Sequence, residues 1–307
     1  MDGCDRTWGG SGGLFDGQTK FSQHNVDLSK WDVSRVTNFD FCFQFNNAFN
    51  GDISSWNVAN GEYFNQVFRD NHVFNRDISG WDVRKGRSFE AIFRNAYVFN
   101  QDVGKWRFEG MNYDSDTART GHPQSLQNSA SLKQFFYGAR AFNQKLDNWD
   151  VSRVSELSDM FMYANKFVWS SQDWSNWDTS KVKSMFRFMK NSLNNGAIAG
   201  HPGGLENWDV TNVETMKSMV EGNQYWNGDI SKWVTSSLKD IENIFSRNAR
   251  FNGDVSKWDV SKVEAGKMKN AFASTNSWNF RPAVEAAWSA APACKLSLSS
   301  SRLVLVF

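Results

Sequence analysis

A tryptophan returns at a fixed interval through most of this chain. Trp31, Trp56, Trp81, Trp106, Trp149, Trp177, Trp208, Trp233 and Trp258 are separated by 25, 25, 25, 43, 28, 31, 25 and 25 residues. Five of the eight intervals are equal, and the other three exceed 25 by 18, 3 and 6, as insertions into one recurrent unit would produce. A unit of this length cannot bury a tryptophan and an apolar stripe by itself. It must lay them against copies of itself.

The unit extends on both sides of the indole. Asp, an aliphatic residue and Ser come before it, as in Asp52-Ile53-Ser54-Ser55-Trp56, Asp229-Ile230-Ser231-Lys232-Trp233 and Asp254-Val255-Ser256-Lys257-Trp258. Asp-Val-Ser-x-Val comes after it, as in Trp31-Asp32-Val33-Ser34-Arg35-Val36 and Trp149-Asp150-Val151-Ser152-Arg153-Val154. Apolar residues follow 5, 8, 11 and 12 positions past Trp, among them Val154, Leu157, Met160 and Phe161 in one copy and Leu238, Ile241, Ile244 and Phe245 in another. Phe-Asn then closes the unit at Phe49-Asn50, Phe74-Asn75, Phe99-Asn100, Phe142-Asn143 and Phe251-Asn252, with Trp226-Asn227 in the same slot.

These spacings predict a fold. Apolar or small residues 5, 8, 11, 12 and 15 past Trp share one stripe of a helix, and the preceding Asp-Val-Ser offers a cap to its first turn. The β-branched Asp-Ile-Ser-x-Trp-Asp-Val segment reads as a short strand, and Phe-Asn-Gly-Asp as a turn. The expectation is an α/β solenoid with one short strand and one short helix per coil of about 25 residues, its strands forming a parallel sheet. Strand stacking would give nine coils a length of roughly 45 Å.

The array is expected over residues 21–273, after a Gly-rich segment at 1–20 and before a cap or tail at 274–307. Insertions fall near 111–128, 168–171 and 195–203, all polar or Gly-containing, as surface loops are. Arg281 to Ala291 is Ala-rich with a proline near its start and reads as a capping helix. Gly61 and Gly86 replace the valine five residues past Trp, and these two copies are expected to be less regular.

Composition narrows the function. Lys plus Arg number 34 against 33 Asp plus Glu, a net charge of +1. That leaves no basic surplus for a sequence-blind nucleic-acid binder or a polybasic membrane protein. No stretch reaches the length of a membrane-spanning helix. Cys4, Cys42 and Cys294 are odd in number and far apart, giving neither a disulfide framework nor a CxxC zinc signature. The opening MDGCDRTWGGSGGLFDG lacks the basic start and apolar run of a secretory leader.

Candidate sites follow from the columns that stacking would create. The tryptophan column reads as a buried core ladder; an exposed aromatic track for sugars or peptides is the functional alternative. Asp32, Asp82, Asp150, Asp178, Asp209 and Asp259 directly follow Trp, with Arg35, Lys85, Arg153, Lys181 and Lys262 three residues later. They read as turn caps and mutually screened charge, with a mixed-charge ligand-binding strip as the alternative. The Asn-x-Asp column (Asn50/Asp52, Asn75/Asp77, Asn100/Asp102, Asn227/Asp229, Asn252/Asp254) offers one carboxylate per turn, few for Ca²⁺, so an asparagine ladder bonding the turn backbone is expected. His122 and His201 each sit in Gly-His-Pro inside an insertion, while His24 and His72 are isolated. No phosphate loop, nucleophile elbow or dinucleotide fingerprint is present. No catalytic residue, metal ligand or cofactor is therefore expected.

The string FNxDIS-x-WDVS-x-V-x-x-M-x-x-MF, spread over Phe21 to Ala273, resembles the BspA-like leucine-rich-repeat surface proteins. The resemblance implies a leucine-rich-repeat-like solenoid and display at the cell surface or outside the cell. It also implies a non-enzymatic adhesion role, recognising a protein or glycan. An intracellular, cytoplasmic interaction or structural solenoid is the alternative. Arg107-Phe108-Glu109 and Val234-Thr235 depart from the family's Asp-Val-Ser.

Overall fold

The computed structural model describes residues 27–111, 130–192, 203–275 and 279–289. Within them the expected alternation of strand and helix is not formed. The regular elements are one α-helix, α1 (Arg281–Trp288), and three single 3₁₀ turns at Trp169–Ser171, Trp174–Asn176 and Leu205–Asn207. Pairing between copies is limited to isolated parallel bridges such as Asn38 to Tyr63, Tyr63 to Ser88 and Glu156 to Ser184. The parallel-sheet solenoid read from the sequence is thus corrected: each copy is built from turns.

The reason lies in the backbone of the segment expected to be helical. In the first copy, Phe41 and Phe45 have φ of 61° and 55°, left-handed values that no α-helix contains. The same pair recurs at Gln66 and Asp70, Ala91 and Asn95, Gln134 and Gly138, Asp159 and Tyr163, Arg187 and Asn191, Ser218 and Gly222, and Asn243 and Arg247. Cys42 N–H donates to the Phe39 carbonyl and Asn46 N–H to that of Phe43, so each left-handed residue is third in a β-turn, as type II turns require. The intervening N–H groups leave the copy altogether. Phe39, Phe41, Phe43 and Phe45 donate to the carbonyls of Tyr63, Asn65, Val67 and Arg69 at 2.8–2.9 Å. One backbone donor in two closes a turn and the next joins the following copy, which satisfies the segment without a helix.

Side chains from these turns fill the interior. Phe43, Phe68, Phe93, Phe136 and Phe161 stack in sequence with ring centroids 5.6–5.8 Å apart. The Phe-Asn phenylalanines Phe49, Phe74, Phe99 and Phe142, continued by Phe167, form a second column at 5.8–6.2 Å. Residues 8, 11 and 12 past Trp31, Trp56, Trp81, Trp149, Trp177, Trp208 and Trp233 are buried, from Phe39, Cys42 and Phe43 to Ile241, Ile244 and Phe245. Cys42 is disulfide-bonded.

The array continues across its insertions. Residues 112–129 and 193–202, where two insertions were placed, lie outside the described residues. Leu132, Phe135 and Phe136 nevertheless resume the inward pattern, and Ala91 and Phe93 donate to Lys133 and Phe135 across the longer gap. The short insertion near 168–171 is not wholly a surface loop: Trp169 in it is buried and stacks at 5.1 Å on Trp174, just beyond it. At the C-terminal side, α1 starts with Pro282 in its first turn and buries Val284 and Trp288. Trp288 stacks on Trp258 at 6.5 Å and lies 5.6 Å from Phe272, covering the last copy. Residues 1–26 and 290–307 lie outside the described residues.

Candidate functional site

The tryptophans are held by one repeated hydrogen bond. The indole N–H of Trp56 donates to the carbonyl of Leu28, three residues before the preceding tryptophan, at 2.8 Å. Trp81, Trp106, Trp149, Trp177, Trp208, Trp233 and Trp258 do the same toward Ile53, Ile78, Val103, Leu146, Trp174, Leu205 and Ile230 at 2.8–3.3 Å. Their rings stack nearly parallel: Trp56 to Trp81 at 6.5 Å, Trp149 to Trp177 at 6.4 Å, Trp208 to Trp233 at 6.4 Å. Between Trp106 and Trp149 the chain inserts Phe108, edge-on to Trp149 at 4.7 Å. These eight indoles are buried, while Trp31 is 42% exposed. A buried indole face offers no platform to a sugar or peptide.

The aspartates after each tryptophan lie at the surface, Asp82 half-buried and the others exposed. Asp32, Asp82, Asp150, Asp178, Asp209 and Asp259 each accept the backbone N–H two residues on, from Ser34, Arg84, Ser152, Ser180, Thr211 and Ser261, at 2.9–3.2 Å. Side-chain and backbone hydrogen bonds from that serine hold the carboxyls of Asp32, Asp150 and Asp259 below the ordinary range. For Asp82 the Arg84 guanidinium is the main cause, paired at 2.6 Å. Lys85, three residues on, donates instead to Asn60 of the preceding copy at 2.6 Å. These carboxylates cap turns, where the sequence placed the N-terminus of a helix.

The Phe-Asn column forms an asparagine ladder. Asn50 Oδ1 accepts the N–H of Asn75, Asn75 that of Asn100, Asn100 that of Asn143, and Asn227 that of Asn252, at 2.7–2.9 Å. Among the described residues no three His, Cys, Asp or Glu side chains converge on a point. No helix among them is long and apolar enough to cross a membrane.

A strip that sequence reasoning missed lies 13 to 17 residues past Trp, on the second left-handed turn. The backbone ladder sets its copies side by side: Asp70 donates to Arg94, Asn95 to Tyr137 and Gly138 to Met162, at 2.6–2.7 Å. His72 and Tyr97 stack face to face at 4.2 Å and 4°, and the Arg140 guanidinium lies 4.2 Å over the Tyr97 ring. Arg94 sits 5.0 Å over Tyr137, and Tyr163 meets Tyr137 edge-on at 5.8 Å. Arg69 lies 5.3 Å over exposed Phe45. Val73 and Val98, one residue past His72 and Tyr97, are 38% and 43% exposed.

Charge on this strip is one-sided. Arg69, Arg94, Arg140 and Lys166 face a single carboxylate, Asp70, which is bound by Arg69 at 3.0 Å and Asn95 at 2.7 Å. Beneath it, Asp159 pairs with Arg187 at 2.8 Å, yet burial outweighs that attraction and pushes its carboxyl up. Farther along, Lys190 pairs with Glu221 at 2.7 Å and Arg250 lies 4.7 Å over the Tyr225 ring. The signal was present in the sequence: copies ending RDNHV, RNAYV and YGARA carry Arg, Tyr and exposed Val at positions outside the inward pattern.

No curated protein and no solved structure matches the chain. A family model does match, over residues 12–122, 123–197 and 196–291. The recurrent unit and these three matches together place the chain in the family described as "Mycoplasma protein of unknown function, DUF285".

Proposed function

We propose that this protein is a non-enzymatic binding scaffold that recognises a protein or glycan through the surface of its stacked copies. The observation that supports the reading is the basic, aromatic strip at Arg69, Arg94, Tyr97, Tyr137 and Arg140. Arginine and tyrosine are the residues that interfaces favour, because they give rigid contact area at small entropic cost. The strip spends these side chains at the surface while the repeat core is completed without them. A scaffold of this kind needs a fixed frame, and the turn hydrogen bonds and ring columns supply one.

The resemblance to BspA-like surface proteins supports display at the cell surface, with adhesion as the role. The test is binding of the purified protein to a glycan array and to a displayed peptide library. Saturable binding in at least one format is expected. Background signal in both would overturn the reading, and labelling of intact cells with an antibody to the protein tests its location.

A further inference from the structure

Building on the binding-scaffold reading, we infer that the strip at His72, Tyr97 and Arg140, flanked by Val73 and Val98, docks an acidic polypeptide segment bearing apolar residues. Three observations select this occupant. First, both faces of Tyr97 are taken, by His72 at 4.2 Å and by Arg140 at 4.2 Å, so neither a sugar ring nor a nucleobase can stack there. The Tyr137 ring is likewise engaged by Arg94 and by the Tyr163 edge.

Second, the strip carries cations in excess. Arg140 is exposed, and among the described residues it has no carboxylate partner. Its guanidinium carbon lies over the Tyr97 ring, a position from which its N–H donors can take an anion in the bidentate geometry that suits a carboxylate. Arg94 donates to the neutral Gln134 side chain at 2.7 Å, and its buried Nε has no partner among the described residues. Third, Val73 and Val98 occupy the same position in consecutive copies and stay exposed, although the repeat buries its other aliphatic columns. Paired apolar contacts beside fixed cations suit a chain alternating Glu or Asp with Val or Leu. A sulfated glycan would use the cations and leave the valines unmatched.

The test uses the whole protein and four fluorescent probes: a dodecapeptide alternating Glu and Val, its Lys/Val counterpart, a heparin oligosaccharide of matching charge, and an oligo-dT of the same length. Anisotropy should show saturable binding of the Glu/Val peptide alone. Arg140→Gln and Val98→Ser, both at exposed positions, should each weaken that binding about tenfold, the effect of losing one good interface contact. Lys257→Gln, in another column, should leave it unchanged. The inference is overturned if the Glu/Val peptide does not bind, if heparin or oligo-dT binds more tightly, or if Arg140→Gln has no effect. Array or library ligands that still bind the Arg140→Gln variant at full strength would remove this site while leaving the scaffold reading standing.

Discussion

At the scale of single residues, the recurring tryptophan combines apolar filler with a hydrogen-bond donor. Trp81 stacks on Trp56 and Trp106 at 6.5 and 6.3 Å and ties its N–H to Ile53. Trp81→Ala is expected to destabilise by about 3–5 kcal/mol, through lost burial plus the cavity left behind. Trp81→Phe keeps much of the packing but orphans the Ile53 carbonyl from one partner, so a loss nearer 1–2 kcal/mol is expected, with urea unfolding as the measure of both. The inward identity of these positions was legible in the sequence because burial at a fixed interval leaves a fixed apolar letter.

The aspartates give the acid limb of stability its form. Serine hydrogen bonds keep Asp32, Asp52, Asp150 and Asp173 below their ordinary value of 3.8 in the folded state. Their contribution is therefore complete above that value and lost as pH falls through the lower folded one. Glu90 and Asp159 act oppositely: burial raises both, so protonating them on the way down restores stability before the other carboxyls titrate. The urea midpoint is expected to hold or rise slightly from pH 7 to about 5 and to fall below about 4. Asp52→Asn with Asp173→Asn should flatten the fall; an unchanged acid limb would remove the serine hydrogen bonds as its cause.

At the scale of the element, the turn pair carries the structure that the apolar spacing disguised. Intervals of three and four residues fit a helix, and they fit equally a chain that reverses every four residues. The sequence holds few marks to separate them. Among the described residues only Gly138 and Gly222 place glycine at a left-handed position of the turn pair, and elsewhere Phe41, Tyr163, Arg187 and Arg247 adopt it. Such residues bear a cost of about 1–2 kcal/mol in that conformation. Replacing the exposed Arg247 with Gly should relieve it and, after the entropy glycine adds to the unfolded chain, stabilise by up to about 1 kcal/mol. Arg247→Val should destabilise, and equal midpoints for the two would contradict the left-handed assignment. The glycines at Gly61 and Gly86 mark a different constraint: a Cβ there would meet the rings of Phe64 and Phe89. Gly86→Val, which restores the family's valine, is thus expected to cost about 1–3 kcal/mol by overpacking.

At the scale of the molecule, each copy depends on its neighbours for hydrogen bonds and for ring contacts, and α1 continues the tryptophan column where the copies end. The copies, their inward residues and the Ala-rich segment that forms α1 each leave a periodic or compositional mark in the sequence. The strip at Tyr97 and Arg140 left only an irregular one, in RDNHV, RNAYV and YGARA, since surface positions vary from copy to copy and only the stacking shows which of them meet. The central claim is that the indoles of successive copies lie buried and bonded to the copy before. Hydrogen exchange of the indole N–H groups, followed by ¹⁵N-resolved NMR with each tryptophan assigned by substitution, tests it directly. The indoles of Trp56, Trp81, Trp106, Trp149, Trp177, Trp208, Trp233 and Trp258 should exchange orders of magnitude more slowly than free tryptophan. Exchange of these eight at the free rate, in a protein that remains folded, would contradict the account.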